Sequence, residues 1–275
     1  MFTKKHIAYD LVYNPEETTF LKKAKEQGAK TLIVARENSS EASLIPDLAI
    51  KIADNFSQLI NAIIDEKVHD LDSGEVSNEI IDNFSLDMSD VVGQEEARRA
   101  LLIAAAGDHN IIFVGGPGSG KSMMAHRMPT ILPPLTYDES LILTKIYSIA
   151  GLTIKGDLIR RRPFRAPHHS ITRAGLVGGG SGIIRPGEVS LASFGVLFLD
   201  ELLEFPHSAL EVLRQPLEDG HITISRANQT VTYPAKLSVV GALNPCPCGH
   251  FGQSKKNCIC SNQAIERYQS RLSGP

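Results

Sequence analysis

Gly115-Gly116-Pro117-Gly118-Ser119-Gly120-Lys121-Ser122 fits the phosphate-binding template G-x-x-x-x-G-K-[ST] at every fixed position. Ile111-Ile112-Phe113-Val114 precedes it as a short apolar run, the signature of a buried parallel strand. Lys121 to Met128 follows as a helix that Pro129 is expected to stop. Backbone N–H groups of a glycine-rich turn at a helix N-terminus favour phosphate oxygens. Lys121 is then placed to reach the β- and γ-phosphates and the Ser122 hydroxyl to ligate Mg²⁺, as in other enzymes with this loop. The stretch predicts an ATP site in an α/β P-loop fold.

Gly195-Val196-Leu197-Phe198-Leu199-Asp200-Glu201 reads as the second half of that site. Four apolar residues make a buried strand, and two carboxylates stand at its C-terminal end, where ligands bind in open α/β sheets. Asp200 is placed to hold Mg²⁺, directly or through water, and Glu201 to polarise a water for attack on the γ-phosphate. The run 237–243 is a further buried strand ending in Asn244, whose amide can hydrogen-bond the attacking water or the γ-phosphate.

Around these motifs the second domain, 88–275, reads as alternating elements. Residues 94–106 form an alanine- and leucine-rich helix closed by Gly107. Thr136 and Glu139 have capping-box spacing for a helix ending near Gly151, and Ser208 with Glu211 repeat it for a helix that Pro216 kinks or ends and Gly220 closes. Residues 221–225 and 230–233 alternate as a β-hairpin with a polar tip, and 262–272 read as a helix. Between 151 and 193 lies an irregular basic stretch with Arg160, Arg161, Arg162, Arg165, His168, His169 and Arg173, then a glycine run. It suits nucleic-acid phosphates, or equally a loop whose arginines pair with acidic neighbours. The adjacent histidines lack a surrounding ligand pattern.

Cys246, Cys248, Cys258 and Cys260 are all the cysteines in the chain, so they are a local cluster and not a disulfide framework. Two C-x-C pairs can supply a tetrahedral thiolate site for structural Zn²⁺, although the usual spacing is C-x₂₋₄-C; four reduced thiols in a tight loop is the other reading.

Upstream, residues 1–66 alternate helix and strand signals: a helix from Asn14-Pro15 to Gly28, strands at 31–35 and 48–52, a short helix near 40–44 and another at 56–66. Residues 67–87 carry Asp70, Asp72, Glu75, Glu79, Asp82 and Asp87 among serine, asparagine and glycine, and read as an acidic linker. The 275-residue chain is 42% apolar with a formal net charge of −3, which argues against bulk electrostatic attachment to nucleic acid but leaves room for a local basic patch. The sequence shows neither a membrane-spanning run nor a signal-peptide core, and predicts a cytoplasmic protein.

Taken together, the 115–122 loop, Arg162-Pro163-Phe164-Arg165-Ala166-Pro167-His168-His169, Gly187-Glu188-Val189-Ser190-Leu191-Ala192 and 196–201 resemble the magnesium-chelatase-like AAA+ ATPases. Asn244-Pro245-Cys246-Pro247-Cys248-Gly249 narrows the resemblance to the ComM/YifB branch, bacterial proteins linked to DNA processing during natural transformation. Residues 15–66 look like the last part of the Lon-protease-like domain of that branch. The resemblance implies a three-layer AAA+ core and a homo-oligomeric, ring-forming motor that couples ATP hydrolysis to helicase or branch-migration work on DNA. By it Asp200 and Glu201 are the Walker B pair, Asn244 is sensor 1, and 160–182 and 221–233 are channel-facing insertions. It also implies that the first half of the Lon-like domain, and the arginine finger, lid and sensor-2 arginine beyond Pro275, are missing. On that footing the chain is expected to bind ATP but turn it over slowly. The rival functions are a non-catalytic nucleotide-binding subunit and a chelatase-like ATPase that inserts metal.

Overall fold

The computed structural model describes residues 8–9, 30–36, 39, 49–65, 67–73, 86–152, 158–180, 184–226, 229–252 and 256–271. The expected helices at 14–28 and 40–44, most of the acidic stretch, Ser181 and Gly182, the hairpin tip and the last residues lie outside that set. The chain divides into two units, Met1–Ile81 with Thr153–Leu158, and Asp82–Leu152 with Ile159–Pro275.

The first unit contains a parallel sheet of β1 (Ala8–Tyr9), β2 (Thr31–Val34) and β3 (Ala49–Ile52), in that order. Helix α1 (Phe56–Ile64) starts at Asn55, whose side chain accepts from the Gln58 N–H. Its buried Leu59 and Ala62 pack with Ile33, Ala53, Val68 and Leu71. Val68 and Leu71 belong to the stretch read as a linker, so its first residues are core of this unit. Lys51 Nζ fastens them by donating to the carbonyls of His69 and Leu71, each at 2.9 Å.

The second unit is built on α2 (Glu95–Gly107), β4 (Ile111–Val114), α3 (Lys121–Ile131), α4 (Tyr137–Ile149), β5 (Phe164–Arg165), α5 (Arg173–Val177), the paired β6 (Gly178–Gly179) and β7 (Arg185–Pro186), α6 (Glu188–Leu191), β8 (Val196–Leu199), α7 (His207–Asp219), the hairpin β9 (His221–Arg226) and β10 (Gln229–Pro234), β11 (Ser238–Leu243) and α8 (Asn262–Gln269). Its described main sheet has the order β4-β11-β8-β5, with all neighbours parallel.

Side-chain alternation along β8 shows three layers. Val196 and Phe198 pack with Leu101, Ala104, Met124, Ala125 and Met128 from α2 and α3. Leu197 and Leu199 face the opposite way, toward Ala209 and Leu213 of α7 and Ile222 and Ile224 of the hairpin. Period-two geometry requires that division of a strand covered on both faces. The three-layer α/β P-loop core is therefore as expected.

Several expectations need correction. Strand β4 is only half-buried: Ile111 and Phe113 pack on the core with α2 and α3, while Ile112 and Val114 on the opposite face of this edge strand are exposed. Pro129 does not stop α3, which runs to Ile131. In the last turn its missing N–H forfeits one carbonyl bond, and burial of the ring offsets that loss. Pro216 also lies inside its helix, α7, which continues to the Gly220 cap as one of the two expected outcomes. The capping box at Ser208 does not form: Pro206 holds the N-cap position, and its carbonyl accepts from Ala209 and Leu210. Helix α2 includes Gly107, and Asp108 takes the left-handed cap at φ 52°. The Thr136–Glu139 capping box and the Gly220 cap are as expected.

Candidate nucleotide site

Parallel pairing brings the chemistry together. Leu243 lies opposite Val114 and Gly241 opposite Leu199, so β4, β11 and β8 deliver their C-terminal ends to one edge of the sheet. The phosphate loop, Asn244 and the Asp200-Glu201 pair are the residues that follow those ends. Gly115 N–H donates to the Leu243 carbonyl at 3.2 Å, extending the ladder one residue into the loop.

Most of the sequence-predicted nucleotide residues converge here. Residues 117–122, Asp200, Glu201 and Asn244 line one cleft of about 490 Å³, whereas Gly115 and Gly116 are not in its lining and meet it through their carbonyls on Lys121. Lys121 Nζ donates to the carbonyls of Gly115 at 2.6 Å and Gly116 at 3.0 Å and to Asn244 Oδ1 at 3.2 Å. Ser122 Oγ donates to Asp200 Oδ2 at 2.9 Å. Gly118 and Gly120 hold the turn at φ 73° and 85°, a conformation that L side chains rarely adopt. Partial burial pulls the Lys121 ammonium below its ordinary pKa, opposed by the Asp200 charge. A cation carrying several donors into a partly desolvated cleft suits a polyphosphate better than it suits water. The donor set fits a nucleoside triphosphate with its magnesium: backbone and ammonium donors for phosphate, and a hydroxyl with a carboxylate for the metal.

Glu201 is held at φ 51°, a strained angle for a residue with a side chain, and its N–H donates to Asp200 Oδ1 at 2.9 Å. That turn sends the two adjacent carboxylates to different tasks, Asp200 toward Ser122 and Glu201 toward His169. His169 Nδ1 lies 3.3 Å from Glu201 Oε2, and the His168 and His169 rings stack at 4.0 Å. The histidines thus partner the site and form no metal cluster of their own among the described residues. Sequence reading missed three contacts: His169 on Glu201, Gln94 Nε2 on the Ser119 carbonyl at 3.3 Å, and the backbone of Gly249 against Pro117. Each joins residues distant in the chain, and the only sequence signal was the unexplained glycine after Cys248.

Two of the basic residues are committed elsewhere. Arg165 makes a bidentate pair with Glu188 at 2.6 and 2.7 Å. Arg162 donates to the carbonyls of Pro133 and Phe194 and lies 3.5 Å from Glu139. For these two the paired-arginine alternative holds and phosphate contact does not. Arg173 and Arg226 instead line an open cleft of about 840 Å³ between α5, α7 and the hairpin.

The cysteines form a second constellation. Cys246 Sγ lies 3.4 Å from Cys248 and 3.6 Å from Cys258, Cys248 lies 3.6 Å from Cys258, and one ligand atom from each of the four falls within 4.8 Å of the others. Backbone N–H groups of His250 and Ile259 lower the Cys248 pKa, whereas burial and the neighbouring Cys248 sulfur push the Cys258 and Cys260 thiols up, so Cys248 is the sulfur most ready to be a thiolate.

Residues 87–275 match the family described as magnesium chelatase, subunit ChlI. Over 256 residues the chain is 43% identical to the competence protein ComM of Haemophilus influenzae, covering 92% of this chain and 50% of that protein. Over 249 residues it is 42% identical to the protein YifB of Escherichia coli, covering 90% and 48%. A 67 kDa magnesium-chelatase subunit of Chlorobaculum parvum is 25% identical over 161 residues, covering 57% of this chain and 23% of that one. The chain spans about half the length of ComM and YifB.

Proposed function

The chain belongs to the magnesium chelatase ChlI family and is similar to ComM and YifB proteins, and on that premise we propose that it is an ATP-hydrolysing AAA+ motor subunit that acts on DNA in the cytoplasm. The observation that carries the reading is the convergence of Lys121, Ser122, Asp200, Glu201 and Asn244 on one cleft from three parallel strand ends. When bound, magnesium-ATP supplies the transferable γ-phosphoryl group. Gly116, Gly118 and Gly120 offer backbone N–H donors to the phosphates, and Lys121 adds the positive charge. Ser122 and Asp200 hold the metal. Glu201 accepts a proton from the attacking water, and Asn244 orients that water.

DNA enters the proposal from two directions: the ComM likeness, and the cleft lined by Arg173 and Arg226, which carries cations not spent on internal pairs with Glu188 or Glu139. A homo-oligomeric ring is the assembly proposed for the whole protein. We assign the cysteine cluster to structural Zn²⁺, because its sulfur spacings suit a four-thiolate tetrahedron and are far longer than a disulfide bond.

Steady-state ATPase assay with and without DNA tests the function. DNA-stimulated turnover supports the motor. Turnover indifferent to DNA would favour a chelatase-like, metal-inserting ATPase, and nucleotide binding without turnover a non-catalytic subunit.

A further inference from the structure

The cysteine cluster adjoins the nucleotide site along the chain and through space, and we propose that a zinc ion held by Cys246, Cys248, Cys258 and Cys260 braces the phosphate loop and Asn244, so that metal occupancy sets nucleotide affinity. This rests on the zinc and nucleotide readings above and goes beyond both.

The metal geometry comes first. Four thiolates about 2.3 Å from a tetrahedral zinc stand about 3.8 Å apart. The three resolved spacings of 3.4, 3.6 and 3.6 Å lie just inside that edge length. Backbone N–H groups support the sulfurs from outside, Phe251 donating to Cys246 at 3.3 Å and Cys260 to Cys258 at 3.4 Å. Such donors orient thiolate ligands and disperse their charge.

Two connections then run from the cluster to the nucleotide site. Along the chain, β11 ends at Leu243, Asn244 follows, and Cys246 is reached through Pro245 alone. Cys246 is wholly buried, and the Pro245 carbonyl is gripped from the other side by Gln269 Nε2 of α8 at 3.1 Å. Asn244 is thus fixed between a strand and a ligand, and its Oδ1 accepts from Lys121.

Through space, the turn closed by Gly249 N–H on the Cys246 carbonyl presses on the phosphate loop. Gly249 sits at φ 79°, and a Cβ there would meet Pro117 Cδ at 2.6 Å and Cγ at 3.0 Å. Only glycine fits both the angle and the approach. Pro117 therefore rests on backbone whose conformation the metal ligands enforce. Releasing the metal frees the turn, because metal binding energy is the folding energy of such a loop.

The test uses the full chain, with zinc content measured first and labelled ATP analogue affinity measured alongside. About one zinc per chain is expected, and chelated protein is expected to bind nucleotide at least about tenfold more weakly, with readdition of Zn²⁺ restoring affinity. Cobalt substituted at the site gives a second readout: adding Mg²⁺ and a non-hydrolysable ATP analogue should shift its visible ligand-field bands, saturating at the nucleotide Kd. Gly249→Ala, which keeps all four ligands, should retain zinc yet weaken nucleotide binding severalfold, and it separates bracing from unfolding of the chelated protein. Equal affinity in zinc-loaded and chelated protein, an unmoved cobalt spectrum and wild-type affinity in the alanine variant would overturn the coupling while leaving zinc in place. Protein that takes up neither zinc nor cobalt overturns the metal itself, and zinc-loaded protein that binds no nucleotide overturns the nucleotide reading.

Discussion

The hydroxyl of Ser122 donates to the carboxylate of Asp200 at 2.9 Å, joining the first residues of α3 to the end of β8. Both groups are metal ligands in the proposed site, so they act on one ion. Asp200→Asn and Ser122→Ala should each weaken Mg²⁺-dependent nucleotide binding, and the double variant should lose less than the sum of the two. Magnesium titrations of labelled-nucleotide binding report this. Strict additivity would mean that the pair shares no ion.

Glu201 differs from its neighbour in where its backbone points it. Glu201→Gln should keep nucleotide bound and lose turnover by about 10²–10⁴, the usual worth of a general base. Binding isotherms compared with steady-state rates check the separation. Parallel loss of affinity in the Glu201 and Asp200 variants would merge the roles that the left-handed turn keeps apart.

The core chemistry was legible because its signals are contiguous. A glycine-rich loop between an apolar strand and a helix, and a carboxylate pair behind another apolar strand, carry their meaning within a few residues. Asn244 was readable for the same reason. What escaped was tertiary: that β4 is an edge, that Pro129 is tolerated inside a helix by burial, and that His169 and Gly249 reach the site from distant parts of the chain. Propensity and pattern report what a segment prefers alone, and packing decides those cases. The arginine-rich run shows the same limit, since composition does not distinguish Arg165, spent on Glu188, from Arg173, which lines an open cleft.

Those two arginines give the next contrast. Arg165→Ala should destabilise the fold by about 1–3 kcal/mol, since it strips a bidentate partner from a partly buried carboxylate. Arg173→Ala should leave the denaturant midpoint unchanged, weaken DNA binding and lower its salt slope by about one. Urea unfolding and salt-dependent DNA titration measure the two effects. A variant of Arg173 with wild-type DNA affinity and slope would remove that cleft from the DNA path.

For the cysteines, chelation should lower the thermal midpoint of zinc-loaded protein, and any one Cys→Ser change should reproduce most of that loss. Differential scanning before and after chelation measures it. Four freely reactive thiols with an unchanged midpoint would leave them as ordinary reduced cysteines.

Lys121 offers the most direct measurement. It carries the one charge that the phosphate loop itself contributes, and its ammonium already donates to three oxygens around the cleft. Titrating labelled ATP with Mg²⁺ into the wild-type chain and into Lys121→Ala should show affinity falling by about 10- to 150-fold, as expected for a charge-assisted hydrogen bond worth about 1.5–3 kcal/mol. Equal affinity in the two proteins would contradict the nucleotide site.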